Sequence, residues 1–288
     1  MPFEKFERPP TPEKRKFEEL VEDWERIEIE SREKLNNSLK EYSFELEKET
    51  GVEIKKDNGR INIDWFEGKG DFTSPMVKNA KAYIERKEFE WYGFKKIPEK
   101  ERKRKSGELL ERLATLILHK FLKEDFYVLR TTEYDDYKNH VDHLIIEKKT
   151  GYPVCAFDEV TPEAITSERL KEKREKVMER NLKGGANITF GLKPKEGKLI
   201  PTSFKNVPIF YLSLTELSLK EAIKNYNPSL EEKSDEEKEV FQHFVRLIQE
   251  QTSELLEKDI REYKVKTEDF QDRLEAIETA FLKYLEKE

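Results

Sequence analysis

The chain has 288 residues, 41% of them charged and 35% hydrophobic, and its apolar residues recur in periodic sets, which excludes a disordered tract. A single cysteine, Cys155, excludes both a disulfide framework and a thiolate metal site. No stretch approaches the roughly 18 consecutive apolar residues of a membrane span, so no membrane partner is expected.

The first residues, Met1 to Lys5, lack an apolar signal core, and a soluble cytoplasmic protein is expected. Dense Glu, Lys and Arg beside four glutamines match the composition of proteins from heat-loving organisms, where surface ion-pair networks gain value with temperature. The formal net charge of −7 is uneven: residues 106–215 hold 18 Lys and Arg against 17 Asp and Glu, net +1, which leaves −8 in the flanks. An acidic total therefore does not veto phosphate contacts by a locally basic groove.

Residues 1–105 read as a helical region with one short strand. Thr11 before Pro12 is a helix start, a capping hydroxyl with proline at the first helical position, and Gly51 is a stop. Between them Phe17, Leu20, Val21, Trp24 and Ile27, then Leu35, Leu39, Tyr42 and Leu46, form one narrow apolar stripe. A strand is expected at Ile61 to Phe66 and a second helix from Ser74-Pro75 towards Glu90. The aromatics Phe89, Trp91, Tyr92 and Phe94 beside Lys95 and Lys96 suit either packing on the central domain or base stacking with phosphate contact. The run Glu99 to Lys105 holds five basic residues in seven, either a solvated face or another phosphate contact.

Residues 106–215 read as an α/β core. A helix from about Gly107 to Lys123 buries Leu109, Leu110, Leu113, Leu116, Ile117 and Leu122 and places Glu108, Glu111, Thr115 and His119 on a polar stripe. Strands follow at Phe126–Arg130 and His140–Ile146, the latter interrupted by Asp142. A third, Pro153 to Phe157, is apolar enough to be covered on both faces and ends in Asp158-Glu159. Thr161-Pro162 marks another helix, stopped at Gly184-Gly185, and Asn187–Leu192 and Val207–Leu212 supply closing strands.

Residues 216–288 read as a helical hairpin. Ser218 with Glu221, and Ser234 with Glu237, have capping-box spacing. Phe241, Phe244, Val245, Ile248 and Leu255 form one stripe and Phe270, Leu274, Ile277, Phe281 and Leu285 another, with a break near Tyr263 to Thr267. Stripes of this length in both flanks are expected to pack on each other, on a second copy in a homodimer, or on a partner protein.

Two acids at the mouth of a buried strand are costly unless paired or bound to a cation. Carboxylates from a neighbouring helix and two adjacent strands can converge on Mg²⁺ or Mn²⁺, which prefer oxygen ligands, and such an ion polarises a phosphodiester and activates water. The bland alternatives are helix-dipole acids at Glu108 and Glu111, a cap at Asp158 or Glu159, and hydrogen-bonded structural roles for His119, His140 and His143.

The order helix-glutamate, strand-aspartate, strand-acid, helix, strand across 106–214 resembles the PD-(D/E)XK nuclease superfamily, whose core runs α-β-β-β-α-β. The resemblance implies Glu111 as the helix glutamate, with Glu108 as the alternative, Asp142 as the strand aspartate, and Asp158 and Glu159 as the third-strand acids. Together these imply one or two Mg²⁺ or Mn²⁺ ions and hydrolysis of DNA or RNA, DNA ahead of RNA. In the family the third strand ends acid-any-lysine, whereas here Val160 and Thr161 stand at the lysine positions. That lysine orients the attacking water and stabilises developing charge. Some members supply the amine from the following helix, where Arg169, Lys171, Lys173 and Arg174 lie, and Lys171 and Lys173 are the candidates. The alternatives are a catalytically inactive, nuclease-like nucleic-acid-binding or scaffolding protein, and a helical assembly protein.

Overall fold

The computed structural model describes residues 12–92, 106–162, 166–257, 268–282 and 284, and of residues 12–28 only the backbone course. The expected aromatic and basic positions from Phe94 to Lys105, the break near Tyr263 to Thr267, Leu285 and the side chains of Phe17 to Ile27 fall outside what is described.

Helix α1 spans Pro12–Thr50 and ends at Gly51, whose positive φ of 71° supplies the left-handed C-terminal stop that a side chain resists. Its residues Leu35, Leu39, Tyr42 and Leu46 are buried, and the helix packs on α3 (Ser106–Leu122) and α6 (Glu216–Lys224). The Tyr42 hydroxyl donates to the Val128 carbonyl at 2.7 Å, which ties α1 to the first strand of the sheet.

The expected strand at Ile61 to Phe66 does not form. Ile61 makes one bridge to Ile54, and Ile63–Phe66 is a 3₁₀ turn. The reason is local: the Asn62 side chain accepts from the Asp64 N–H and caps a helical turn where a strand would continue. The connection has a positional consequence, because Arg60 bridges Arg130 and the Ile61 N–H donates to the Arg130 carbonyl at 3.1 Å. Helix α2, Ser74–Tyr92, follows.

The central sheet has four strands in the order β1 (Phe126–Arg130), β2 (His143–Glu147), β3 (Pro153–Val160), β6 (Ile209–Ser213). The first two pairings are antiparallel and β3–β6 is parallel, so the sheet is mixed. A parallel neighbour needs a long crossover, and helix α5 (Glu168–Leu182) lies in it. All residues of β1 and β6 are buried, as strands covered on both faces should be. Helix α3 packs on β1 and β3, α5 and α7 (Asp235–Glu257) on β6, and α8 (Glu268–Leu282) on β3 and α7.

Four expectations need correction. The second strand starts at His143, not His140, because Thr132 caps an additional short helix α4, Glu133–Asn139, and His140 ends it in the left-handed conformation. The helix expected from Pro162 begins at Glu168 instead, capped by Ser167. Only β6 closes the sheet: β4 (Ala186–Lys195) pairs with β5 (Lys198–Val207) in a separate hairpin, whose turn residues Glu196 and Gly197 both have positive φ, as a type I′ turn requires. Helix α6 is capped by Thr215 rather than Ser218.

The capping box at Ser234 forms as expected, the Glu237 N–H meeting Ser234 Oγ at 3.2 Å and the Ser234 N–H meeting Glu237 Oε2 at 3.0 Å. The second oxygen of Glu237 has a tertiary task. Oε1 accepts from Lys120 Nζ at 2.6 Å, and the side chains are 0% and 2% exposed. Lys120 also donates to the Asn227 carbonyl and lies 4.4 Å from the Tyr226 ring centroid. Replacing one member of such a pair strands the other charge, so Glu237→Ala is expected to cost about 3–5 kcal/mol in urea unfolding. Lys120→Met together with Glu237→Leu should recover most of that loss.

Candidate metal centre

The candidate site lies where the end of β3 meets the start of β2, roofed by α3 and α4. Helix α3 contributes Glu108 and Glu111, one turn apart on a single face. Asp142 immediately precedes β2; its N–H donates to the Phe157 carbonyl, and its Oδ2 accepts the Glu159 N–H at 3.0 Å. Helix α4 contributes Asp136. One oxygen each of Glu111, Asp136 and Asp142 lie within 4.8 Å of one another.

The two third-strand acids part company, because successive strand residues point to opposite faces. Glu159 turns towards α3, where it touches the Asp142 carboxyl and receives His143 Nδ1 at 2.6 Å; His143 Nε2 meets Thr115 Oγ1 at 2.7 Å. Asp158 turns the other way and pairs with Lys173 of α5. Lys171, one of the two expected amines, does not approach the acids: it is 65% exposed and pairs with Glu168 at 3.6 Å. The later helix start explains this, since Lys171 falls in the first turn, on a different helical face from Lys173.

Two arginines enter the cluster. Arg60 Nη2 lies 2.7 Å from both Glu111 Oε2 and Asp136 Oδ2 and 3.9 Å from Asp142 Oδ1. Arg130, fully buried at the end of β1, pairs with Glu111 and reaches Glu108 at 3.4 Å, and Arg112 holds Glu108 at 2.9 Å. Among the described residues six carboxylates (Glu108, Glu111, Asp136, Asp142, Asp158 and Glu159) thus meet five cations (Arg60, Arg112, Arg130, Lys173 and, beside Asp158, Arg180), one charge short of balance.

That shortage appears in the acidities. Burial, then the charges of Asp142 and Glu108, pushes Glu111 up to about 7 despite its arginines. Burial and Asp142 raise Glu159 well above the carboxylate range, and burial raises Asp136 in the same direction against the pull of Arg60. Asp158 rises to about 6, burial outweighing Lys173. Burial also works against Glu108, but Arg130 and Arg112 bring it down to about 2. Asp142 is likewise lowered in spite of burial, by its contact with Glu159 and the charges of Arg60 and Lys173. His143 is driven down by burial and by Arg130, so its contact with Glu159 is a hydrogen bond more than an ion pair.

The residues fit a hard divalent cation in two respects. The donors are all carboxylate oxygens, the set that suits Mg²⁺ or Mn²⁺. In addition Glu159 Oε2 is buried, beside the Asp142 carboxylate, and receives no hydrogen bond, an arrangement that calls for a proton or a cation. Arg60 is the competing feature, because its guanidinium already serves Glu111 and Asp136.

Sequence reasoning placed Asp142 and Glu111 at this site but did not find Asp136, Arg60 or Arg130. Arg130 carried a usable signal, a charge closing an otherwise apolar strand, as Asp142 does at the next strand. Arg60 carried none, since it lies in an irregular connection 51 residues before Glu111. Comparison with family models, with curated proteins and with solved structures finds no match.

Arg130 holds two partly buried acids, and its own side chain is fully buried. Arg130→Met is therefore expected to destabilise the protein by about 3–5 kcal/mol in urea titration, because Glu111 and Glu108 each lose a charge partner. Arg130→Lys should recover only part of this, since one ammonium cannot reproduce the two-pronged contact.

Proposed function

We propose that this chain is a metal-dependent phosphodiester hydrolase acting on nucleic acid, built on a core of the PD-(D/E)XK type. The observation that carries the reading is the convergence of Glu111, Asp136 and Asp142 beside the donorless oxygen of Glu159, with an amine supplied from the following helix. The element order supports it: helix α3, three antiparallel-paired strands, helix α5, and a last strand parallel to the third.

In this reading Glu111, Asp136 and Asp142 hold Mg²⁺ or Mn²⁺, with Glu159 beside them. The ion, when bound, supplies Lewis acidity to a phosphodiester and a more acidic water. The remaining work falls to the chain. Lys173 pairs with Asp158 and is close enough to lower the Asp142 carboxyl as well, so it presents positive charge beside the site, the task of the lysine absent at Val160 and Thr161. His143, fixed between Thr115 and Glu159, sets the orientation of the Glu159 carboxyl. Arg60 and Arg130 hold Glu111 in the cluster and temper the repulsion among its acids.

A specific observation favours a second reading, a nuclease-like protein that binds or scaffolds without catalysis. Arg60 meets two of the three convergent acids at 2.7 Å and can serve as their permanent counter-ion. Calorimetry with Mn²⁺ and cleavage of labelled DNA and RNA separate the two. For the hydrolase, the parent takes up Mn²⁺ and cleaves, and Asp142→Asn loses both. Lys173→Ala slows cleavage by about 10²–10³ while Mn²⁺ affinity stays within a few-fold, the loss typical of one charge-stabilising donor. A parent that takes up no Mn²⁺ and cuts neither substrate rejects catalysis in favour of the scaffold.

A further inference from the structure

Outside the acid cluster, the feature that points to a ligand is a cleft of about 600 Å³ between α2 and α4, floored by the β4 residues Thr189 and Phe190. Its walls are Met76, Asn79, Tyr83 and Arg86 from α2, and Tyr134 and Lys138 from α4. Although the chain contains 62 acidic residues among 288, none lines this cleft. The larger cleft near α6 and α7, about 720 Å³, is by contrast lined by four glutamates, Glu221, Glu236, Glu239 and Glu250, against the two cations Lys171 and Arg174, an acidic balance that disfavours an anion.

The cations around the first cleft gather on one aromatic ring. Arg86, Lys87 and Lys138 lie 5.3, 6.0 and 5.4 Å from the centroid of Tyr83, which packs edge-on against Tyr134. Lys138 is exposed and pairs with no carboxylate among the described residues, while Arg86 reaches Glu90 only at 3.8 Å with a side chain 64% exposed. Lys87 is committed to Glu90 at 2.6 Å, which leaves Lys138 and the loosely paired Arg86; aromatic rings flanked by these two cations match a nucleobase joined to a phosphate, the rings taking the base and the cations the phosphate.

The cleft is also coupled in space to the acid cluster. Helix α4 is seven residues long and turns a different side to each neighbour. Tyr134 and Lys138, one turn apart, face the cleft, whereas Asp136 faces Arg60 and Glu111. Tyr137 packs on Trp91 of α2 with ring centroids 4.8 Å apart and donates to Glu88. The cleft and the acids are therefore separated by about one helix diameter, roughly 10 Å.

We infer that the α2–α4 cleft is a subsite for single-stranded nucleic acid, which stacks a base against Tyr83 and Tyr134 and holds a phosphate with Arg86 and Lys138. It rests on the nucleic-acid reading of the acid cluster and adds the substrate class: an unpaired strand, since a base stacked inside a duplex cannot enter a cleft to lie against the rings of its walls.

The test measures binding without cleavage, by fluorescence anisotropy of a labelled dT15 oligonucleotide and of a blunt hairpin duplex, with the full chain in EDTA. The parent is expected to bind dT15 at least tenfold more tightly than the duplex. Arg86→Ala with Lys138→Ala should weaken dT15 binding at least tenfold and lower the salt-dependence slope by about 1.4, roughly 0.7 for each phosphate-directed charge removed from a single strand. Arg86→Lys with Lys138→Arg keeps both charges and should stay within threefold of the parent, which separates lost contacts from lost fold. The inference is overturned if the double alanine variant binds dT15 within twofold of the parent, if the duplex binds equally well, or if a glutamate-rich peptide of equal charge displaces dT15 at equal concentration. A parent that binds dT15 through these residues but never cleaves with Mn²⁺ refutes the hydrolase and leaves the subsite standing. A parent that cleaves while the double variant binds unchanged refutes the subsite alone.

Discussion

The structure turns on one electrostatic constraint: a group of carboxylates has been taken out of water at the end of a buried sheet and must be neutralised there. Burying an unpaired carboxylate costs several kcal/mol even after relaxation, so every element around the sheet end supplies something to offset it. Strand β1 ends in Arg130, α3 brings Arg112 beside Glu108, and the connection after α1 bridges the end of β1 and so delivers Arg60. Helix α5 presents Lys173 to Asp158. The irregular segment between α1 and α2 is thus an integral part of the site, held by its bridge to the edge strand.

The compensation is incomplete, and the carboxyl acidities record it. Glu111 and Asp158, raised to about 7 and about 6, sit near neutral pH, while Asp142 is kept ionised between them. Neighbouring carboxyl groups pushed apart in acidity are a recurrent property of functional sites, although structural ion-pair networks produce it too. Arg60 is the pivot between these outcomes. As a fixed counter-ion it makes the cluster structural; displaced, it would leave three carboxylate oxygens within 4.8 Å of one another.

Helix α4 shows how a seven-residue element can organise several functions. Asp135 is fully buried and accepts the N–H groups of Thr189 and Phe190, which anchors the β4–β5 hairpin to the core. The next residue serves the acid cluster, and Tyr134 with Lys138 borders the α2 cleft. Because a helix this short gains little from its own hydrogen bonds, its placement depends on these tertiary contacts and on the Thr132 and His140 caps.

Sequence alone determined what depends on near neighbours. Apolar periods located α1, α3, α7 and α8, apolar runs located β1 and β3, the Ser74-Pro75 start located α2, the Ser234–Glu237 spacing located a cap, and Asp142 stood out as a charge inside a strand-forming run. The flanking stripes, Leu35 to Leu46 and Phe241 to Phe281, proved buried within one chain. Local caps and turns that apolar periods do not report, and then tertiary structure, decided the rest. Asn62 diverted a β-like segment into a turn, Ser167 moved the start of α5 and so chose Lys173 over Lys171, and a tight turn at Gly197 drew β4 away from the central sheet. The alternation of β3 divided Asp158 from Glu159, a split already implicit in the period of two, but which acid would join Glu111 depended on the face that α3 covers. Arg60 and Asp136 were beyond reach because no local pattern encodes their convergence. They meet Glu111 only once α1, α3 and α4 have packed on the sheet, and long-range packing is what a one-dimensional periodicity leaves unspecified.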